Sequence, residues 1–190
     1  YTMWYILENY ATDEDLRYLV DNVEMYFVPL VNPDGWLYNQ TIQPNGGGMW
    51  RKNRRDNGNN TFGVDLNRNY GYEWGGVGSS GNGNSDVYRG TTPFSEAESQ
   101  ALKWFTEQHS FQIALNYHTA ANMLLHPWGY TDDLECDDHD RFIAFKSWMT
   151  EVNGYLNIQS SLLYEAAGDS DDWMYGDTST KPKILAMTPE

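Results

Sequence analysis

The sequence predicts an α/β protein: a mixed, mostly parallel sheet with helices on both faces, incomplete at both ends. Three observations carry that prediction. Segments rich in β-branched and aromatic residues alternate with segments whose apolar residues recur at helical spacing, the pattern of a sheet covered by helices. The run Val23-Glu24-Met25-Tyr26-Phe27-Val28-Pro29-Leu30-Val31 is nearly all apolar towards its end, which marks burial on both faces, as in a parallel sheet. Residues 39–91 are a Gly/Asn-rich excursion with little periodicity, and so long a loop belongs in a compact domain mainly when it is functional.

In chain order, residues 1–10 read as the tail of a helix. Thr12 then caps a second helix, with acids at 13–15 in its first turn and Leu16, Leu19 and Val20 on one face. Residues 23–31 are the first strand by their composition. Asn32-Pro33-Asp34-Gly35 follows as a turn, Pro setting φ and Gly tolerating a positive one. Ser95-Glu96-Ala97-Glu98 forms a capping box that opens a helix to about Gln108, with Ala101, Leu102 and Phe105 inward. Residues 111–117 are the next strand, ending at His118, and 123–125 a short one running into His126-Pro127-Trp128-Gly129. A helix over 138–155 carries Phe142, Phe145, Trp148 and Met149 at helical spacing, with Gly154 near its end. Residues 161–164 and 184–187 are the last strands, with a helical turn at Asp172-Trp173-Met174-Tyr175 between them.

A chain of 190 residues with 40 % hydrophobic and 15 % aromatic content can bury one sizeable core and is not a disordered tail. Its formal charge of −15 argues against nucleic acid, since the average surface repels phosphate. Yet Arg51, Lys52, Arg54, Arg55, Arg68 and Arg89 make up half of the twelve basic residues, a local field suited to a small anionic group. With Cys136 the sole cysteine, no internal disulfide can form. No apolar run approaches the ~18–20 residues of a membrane span, and the start lacks a signal-peptide pattern.

The donors converge on Val64-Asp65-Leu66-Asn67-Arg68-Asn69-Tyr70 and on Met49-Trp50-Arg51-Lys52. An arginine fork matches a carboxylate bidentately, so the cluster reads as an anion receptor; a solvated basic loop is the alternative. In an α/β sheet, ligands bind beyond the carboxyl ends of the strands. His118, Tyr164 and Glu190 all fall at such ends. Singly, His118 fits a structural histidine and Glu190 an exposed carboxylate. Together they point to one crevice, in which Glu190 could act as a general base.

Asn32-Pro33-Asp34-Gly35, Met49-Trp50-Arg51-Lys52, Val64-Asp65-Leu66-Asn67-Arg68-Asn69, Ser95-Glu96 with Glu98, Asn116-Tyr117-His118-Thr119, Pro127-Trp128-Gly129-Tyr130, Asp172-Trp173 and Thr188-Pro189-Glu190 resemble the zinc carboxypeptidases of the carboxypeptidase A/B type. The motifs keep that family's order and span nearly the whole chain. The resemblance implies a secreted, zinc-dependent exopeptidase acting on peptide or protein C-termini. It implies His118 as the third zinc ligand, and Arg51 as the group that polarises the scissile carbonyl. Asn67 and Arg68 would grip the terminal carboxylate, Tyr164 would close over the released side chain, and Glu190 would be the general base. Asp65 would orient the first zinc histidine, a task such carboxylates often have. Asp171, with Asp169 beside it, falls where basic-specific or mixed-specificity relatives carry a pocket acid, which favours Lys or Arg; alternatively, these acids cap the helical turn at Trp173.

The family's first two zinc ligands come from a His-x-x-Glu motif. None of His109, His118, His126 and His139 has Glu three residues later, and catalytic zinc normally takes three protein ligands. Glu135-Cys136-Asp137-Asp138-His139-Asp140 holds ligand-capable side chains but reads as a helix start with acids on its dipole. Residues 1–190 are therefore expected to be the central and C-terminal part of one catalytic domain, unable alone to complete a zinc site. Cut sheet edges would favour self-association. Two other readings stand beside this one: a bacterial cell-wall peptide amidase on the same scaffold, and a non-catalytic peptide- or glycan-binding module.

Overall fold

The computed structural model describes residues 1–190. The chain forms two compact units, Tyr1–Val31 and Asn32–Glu190. The first holds helices α1 (Thr2–Asn9) and α2 (Glu14–Asn22), neither of which buries a residue. Asp13, not the expected Thr12, caps α2: its carboxylate accepts from the Asp15 and Leu16 N–H groups, each at 3.0 Å. Thr12 Oγ1 instead turns back to the Asn9 carbonyl. Residues 23–31 form no strand, and Val28 and Leu30 stay nearly half exposed. This corrects the expectation of a doubly buried strand. Apolar, β-branched composition becomes sheet only when a ladder partner fills the backbone hydrogen bonds.

The second unit opens with α3 (Pro33–Ile42), where a turn was expected. Asn32 caps it, accepting from the Gly35 N–H at 2.9 Å, and Pro33 sits where a missing N–H costs nothing. A Cβ on Gly35 would run into the Asn32 amide and the Lys52 carbonyl, so only glycine lets this helix start lie against the Arg51-Lys52 backbone. After α3 the excursion is irregular apart from a 3₁₀ turn at Leu66–Arg68. Helix α4 (Ala97–Glu107) follows, but not through the expected capping box: its N-cap is Glu96, without a side-chain cap bond, while the Ser95 hydroxyl turns to Glu96 Oε1 at 2.7 Å and Glu98 accepts from the Asn53 amide at 3.3 Å. The Glu96 carboxylate also accepts from the Arg55 guanidinium at 2.7 Å and the Asn53 amide at 2.8 Å. Of the residues expected inward, Leu102 and Phe105 are half-buried and Ala101 is exposed.

The sheet is built from β1 (Ile113–Leu115), β2 (Met123–His126), β3 (Leu156–Gln159) and β4 (Leu185–Pro189), with α5 (His139–Thr150) and α6 (Ser170–Gly176) between them. Residues 161–164, expected as a strand, instead carry a 3₁₀ turn at Ser160–Leu162; the strand lies just before it. The order is β1-β4-β2-β3. β1 pairs parallel with β4, β2 parallel with β3, and β2 antiparallel with β4, so the sheet is mixed and mostly parallel. Residues 184–187 alternate between two cores. Leu185 and Met187 pack with Leu124, Trp128, Phe142 and Tyr175, while Ile184 and Ala186 pack with Tyr70, Trp173 and Met174. Side chains of a strand alternate faces, so β4 is buried on both. Each large aliphatic chain so placed contributes about 1.5–3 kcal/mol.

Candidate functional site

The sheet sets the geometry of the first two candidates. Beyond β1, the Asn116 N–H donates to the Met187 carbonyl and the His118 N–H to the Pro189 carbonyl, both at 2.9 Å. Beyond β4, Glu190 donates its N–H to the Met123 carbonyl at 2.8 Å and accepts from the Met123 N–H at 3.3 Å. Neighbouring strand ends therefore bring His118 Nδ1 to 3.7 Å from Glu190 Oε2. Surrounding protein lowers the proton affinity of the imidazole, although 34 % of its side-chain surface stays accessible. Glu190 and Asp65 pull the other way.

Asp65 caps the 3₁₀ turn Leu66–Arg68, its Oδ1 accepting from the Asn67 N–H at 3.1 Å. That turn presents Asn67 and Arg68 side by side. Arg68 is 1 % exposed, and its guanidinium donates from Nε to the Gly78 carbonyl at 2.9 Å and from Nη1 to the Asn67 carbonyl at 2.6 Å. Both bonds go to uncharged backbone, so the cation is not consumed by a carboxylate. Gly168 closes the back of this loop. Its carbonyl accepts from the Tyr70 N–H, and at φ +77° a Cβ would press on the Arg68 carbonyl.

Helix α6 supplies the acids. Asp169 caps it, accepting from the Asp172 N–H at 2.8 Å. Asp171 accepts from Asn116 Nδ2 at 2.6 Å and from the Thr188 hydroxyl at 2.8 Å. Asp172 faces away, bound by the Gly129 and Tyr130 N–H groups. All three are buried. Burial pushes the pKa of Asp169 up to about 6. Burial, then the charge of Asp169, pushes Asp171 up to about 7. Burial and the same neighbour also raise Asp172.

One hollow is lined by Asn67, Arg68, His118, Tyr164, Asp169, Asp171 and Glu190 together with small and apolar neighbours. Tyr164 is half-exposed on its rim, the Arg68 guanidinium 5.8 Å from its ring centre. Arg51 and Asp65 stand outside the lining and form an ion pair, Nη2 to Oδ2 at 2.9 Å. The contact is charged but poorly directed, for Asp65 Oδ2 is buried and receives no hydrogen bond.

Two supports escaped the sequence reading. Asn69 is fully buried and ties the turn to α4, donating to the Arg89 and Thr92 carbonyls and accepting from the Ser99 hydroxyl at 2.6 Å. Ser170 donates its N–H to Asn67 Oδ1 at 3.1 Å, which joins the cationic turn to the acidic helix. The Asn67-Arg68-Asn69 run was the available signal for the first; nothing local announces the second.

Away from the hollow, His126 Nε2 lies 3.2 Å from His139 Nδ1, and Lys146 Nζ lies 2.7 Å from His126 Nδ1. The lysine and His126 are fully buried. Burial pushes Lys146 down to about 7, and burial with the Lys146 and His139 charges pushes His126 down to about 3. An ammonium beside the histidine pair disfavours a cation there. No group of three or more His, Cys, Asp or Glu side chains suited to a metal occurs in the chain. For zinc, the hollow supplies one imidazole donor, which fits part of a site that takes three.

The sequence profile described as zinc carboxypeptidase matches residues 1–190. The chain belongs to the zinc carboxypeptidase family. It is 37 % identical over 172 residues to zinc carboxypeptidase A 1 of Drosophila melanogaster, covering 86 % of this chain and 39 % of that protein. It is 32 % identical over 185 residues to carboxypeptidase B of Astacus astacus, covering 92 % of this chain and 59 % of that one. Among solved structures, it superimposes on thrombin activatable fibrinolysis inhibitor (TAFI) with TM-score 0.78 at 29 % identity, over 97 % of this chain and 47 % of that one. No helix is long and apolar enough to cross a membrane.

Proposed function

We propose that residues 1–190 are the central and C-terminal part of a single catalytic domain, in a secreted zinc-dependent exopeptidase. It would remove C-terminal residues, basic or mixed basic and hydrophobic, from peptides. Family membership and the 39 % and 59 % shares of the two relatives' lengths support the placement. The observation that carries the chemistry is the hollow in which a buried guanidinium with only backbone partners meets His118 and Glu190. A buried cation of that kind favours an anionic ligand.

The substrate's terminal carboxylate takes the Arg68 guanidinium and the Asn67 amide. Tyr164, half-exposed at the rim, covers the side chain being released. Asp169 and Asp171, buried with no cation hydrogen-bonded to them, receive a Lys or Arg side chain. Glu190 accepts a proton from the attacking water and returns it to the departing amine. Arg51, freed from Asp65, takes charge developing on the carbonyl oxygen. Asp65 Oδ2, buried and held only by the poorly directed Arg51 contact, would then accept an imidazole N–H. Zinc, when bound, supplies Lewis acidity and an acidified water, and His118 would be one of its ligands. The 190 residues alone are expected to be inactive and, with Ile113 and Leu156 exposed on the outer strands, to self-associate.

The test is peptide hydrolysis by the full-length protein. Release of C-terminal Lys, Arg or Leu, blocked by C-terminal amidation, is the expected result. Equal cleavage of amidated and free peptides would overturn the reading. An assay of residues 1–190 with added zinc checks the second expectation, which robust turnover would refute.

A further inference from the structure

The loop from Trp74 to Gly81 lies outside the motifs that carry the family resemblance, yet it holds Arg68. It is strapped down along its length. Trp74 Nε1 donates to the Arg89 carbonyl at 3.2 Å, and the Arg89 guanidinium sits 5.1 Å from the Trp74 ring centre. The Arg89 N–H donates to the Ser80 carbonyl at 3.0 Å, and the Ser80 N–H to the Val87 carbonyl at 2.9 Å. Val77 accepts from the Ala167 N–H at 2.8 Å. Among these ties sits Gly78, whose carbonyl receives Arg68 Nε. Its φ is +68°, and a Cβ there would run into the Glu165 carbonyl, so only glycine presents the acceptor from this place.

Arg89 is an odd choice for mere packing. Its Nε is buried and has no acceptor, which costs free energy that a hydrocarbon would not incur. Contact with the indole face offsets that cost and gives the guanidinium a task in holding Trp74. With Nε of Arg68 held by Gly78 and one Nη1 hydrogen by Asn67, the second Nη1 hydrogen and Nη2 remain for a ligand. Their direction is fixed by the loop.

We propose that Trp74 and Arg89 are positioning residues for the carboxylate receptor: their stack sets the Gly78 carbonyl and, through it, the orientation of the Arg68 guanidinium. The inference rests on the reading of Arg68 as that receptor. A displaced fork loses the bidentate fit to a carboxylate while leaving the chemistry at Glu190 in place.

The test compares Trp74→Leu, Arg89→Met and Arg68→Ala in the full-length protein, with lysine, leucine and their C-terminal amides as competing inhibitors. For the first two variants KM rises about tenfold with kcat within about twofold. Inhibition by the free amino acids weakens about tenfold, and that by the amides is unchanged. Trp74→Phe, which keeps a ring under Arg89, restores most of the loss. Unchanged inhibition by the free amino acids in folded variants would overturn the proposal, as would equal loss for acids and amides. Should Trp74→Leu fail to fold, Arg89→Met carries the same comparison. If Arg68→Ala itself leaves free-amino-acid inhibition unchanged, the receptor reading has failed; if only the strap variants do, the strap alone has failed.

Discussion

The two walls of the hollow are built in opposite ways. On one, the turn Leu66–Arg68 holds a buried cation whose hydrogen bonds end on backbone carbonyls. On the other, the start of α6 holds Asp169 and Asp171, buried acids bound by a backbone N–H, an amide and a hydroxyl. Neither wall neutralises itself. Direct pairing across the gap would have satisfied both and left nothing for a ligand. Instead the Ser170 N–H and Asn67 Oδ1 join them through an uncharged bond. Charges of opposite sign are kept apart here by giving each neutral partners, which is what the proposed two-ended substrate would require.

The largest disturbance is Arg68→Ala. Removing one partner of a buried, hydrogen-bonded charge pair costs about 2–5 kcal/mol, so kcat/KM of the full-length protein should fall about 10²-fold or more. Stopped assays on a C-terminal Lys peptide measure it, and a loss below about fivefold would show that the cation does not meet substrate. Next comes Asp171→Asn, expected to cut the preference for Lys over Leu about tenfold, read as a ratio of kcat/KM values; an unchanged ratio would assign the acid to capping alone.

Acidity sharpens the contrast further. Burial pushes Asp169 and Asp171 up to about 6 and about 7. Preference for Lys over Leu should therefore grow as pH rises through 6–7. The same groups bear on stability. A raised folded-state pKa means that the native form binds more protons than the unfolded one between the ordinary value near 4 and about 7. Their contribution is thus fully present below about pH 4 and is lost as pH rises to 7. Asp171→Asn should flatten that decline in Tm, and an unaltered profile would refute the assignment. The smallest effect belongs to Asn67→Ala, which removes the bond to Ser170 and should lower stability by about 1 kcal/mol in denaturant melts.

Much of the fold was legible because composition and burial agreed. Ile184, Leu185, Ala186 and Met187 form a run that is apolar on both faces, and it is the buried centre of the sheet. Where pairing decided, sequence misled. Residues 23–31 have the composition of a strand and no ladder, whereas Leu156–Gln159, with a single β-branched residue, pairs with β2 along its whole length. Helix starts failed for a related reason. Ser95 and Glu98 fit a capping box until Glu96 takes the serine hydroxyl and Asn53, distant in sequence, takes the Glu98 carboxylate. The hollow was legible through the positions of His118, Glu190, Asn67 and Arg68. Its supports were not, since Ser170 N–H and Gly78 carbonyl belong to backbone that any residue type carries. Nor was the Lys146–His126–His139 cluster, assembled from a strand and a helix with no shared motif.

The imidazole of His118 and the carboxylate of Glu190 hang from backbones locked in register, at the level where β1, β4 and β2 meet. Their spacing is a property of the woven backbone, while the acids, the arginine and the tyrosine ride on a helix start and on turns. On the proposed function, selectivity could thus be redrawn by exchanging those perimeter pieces, with His118 and Glu190 carried along unaltered like type in a fixed frame.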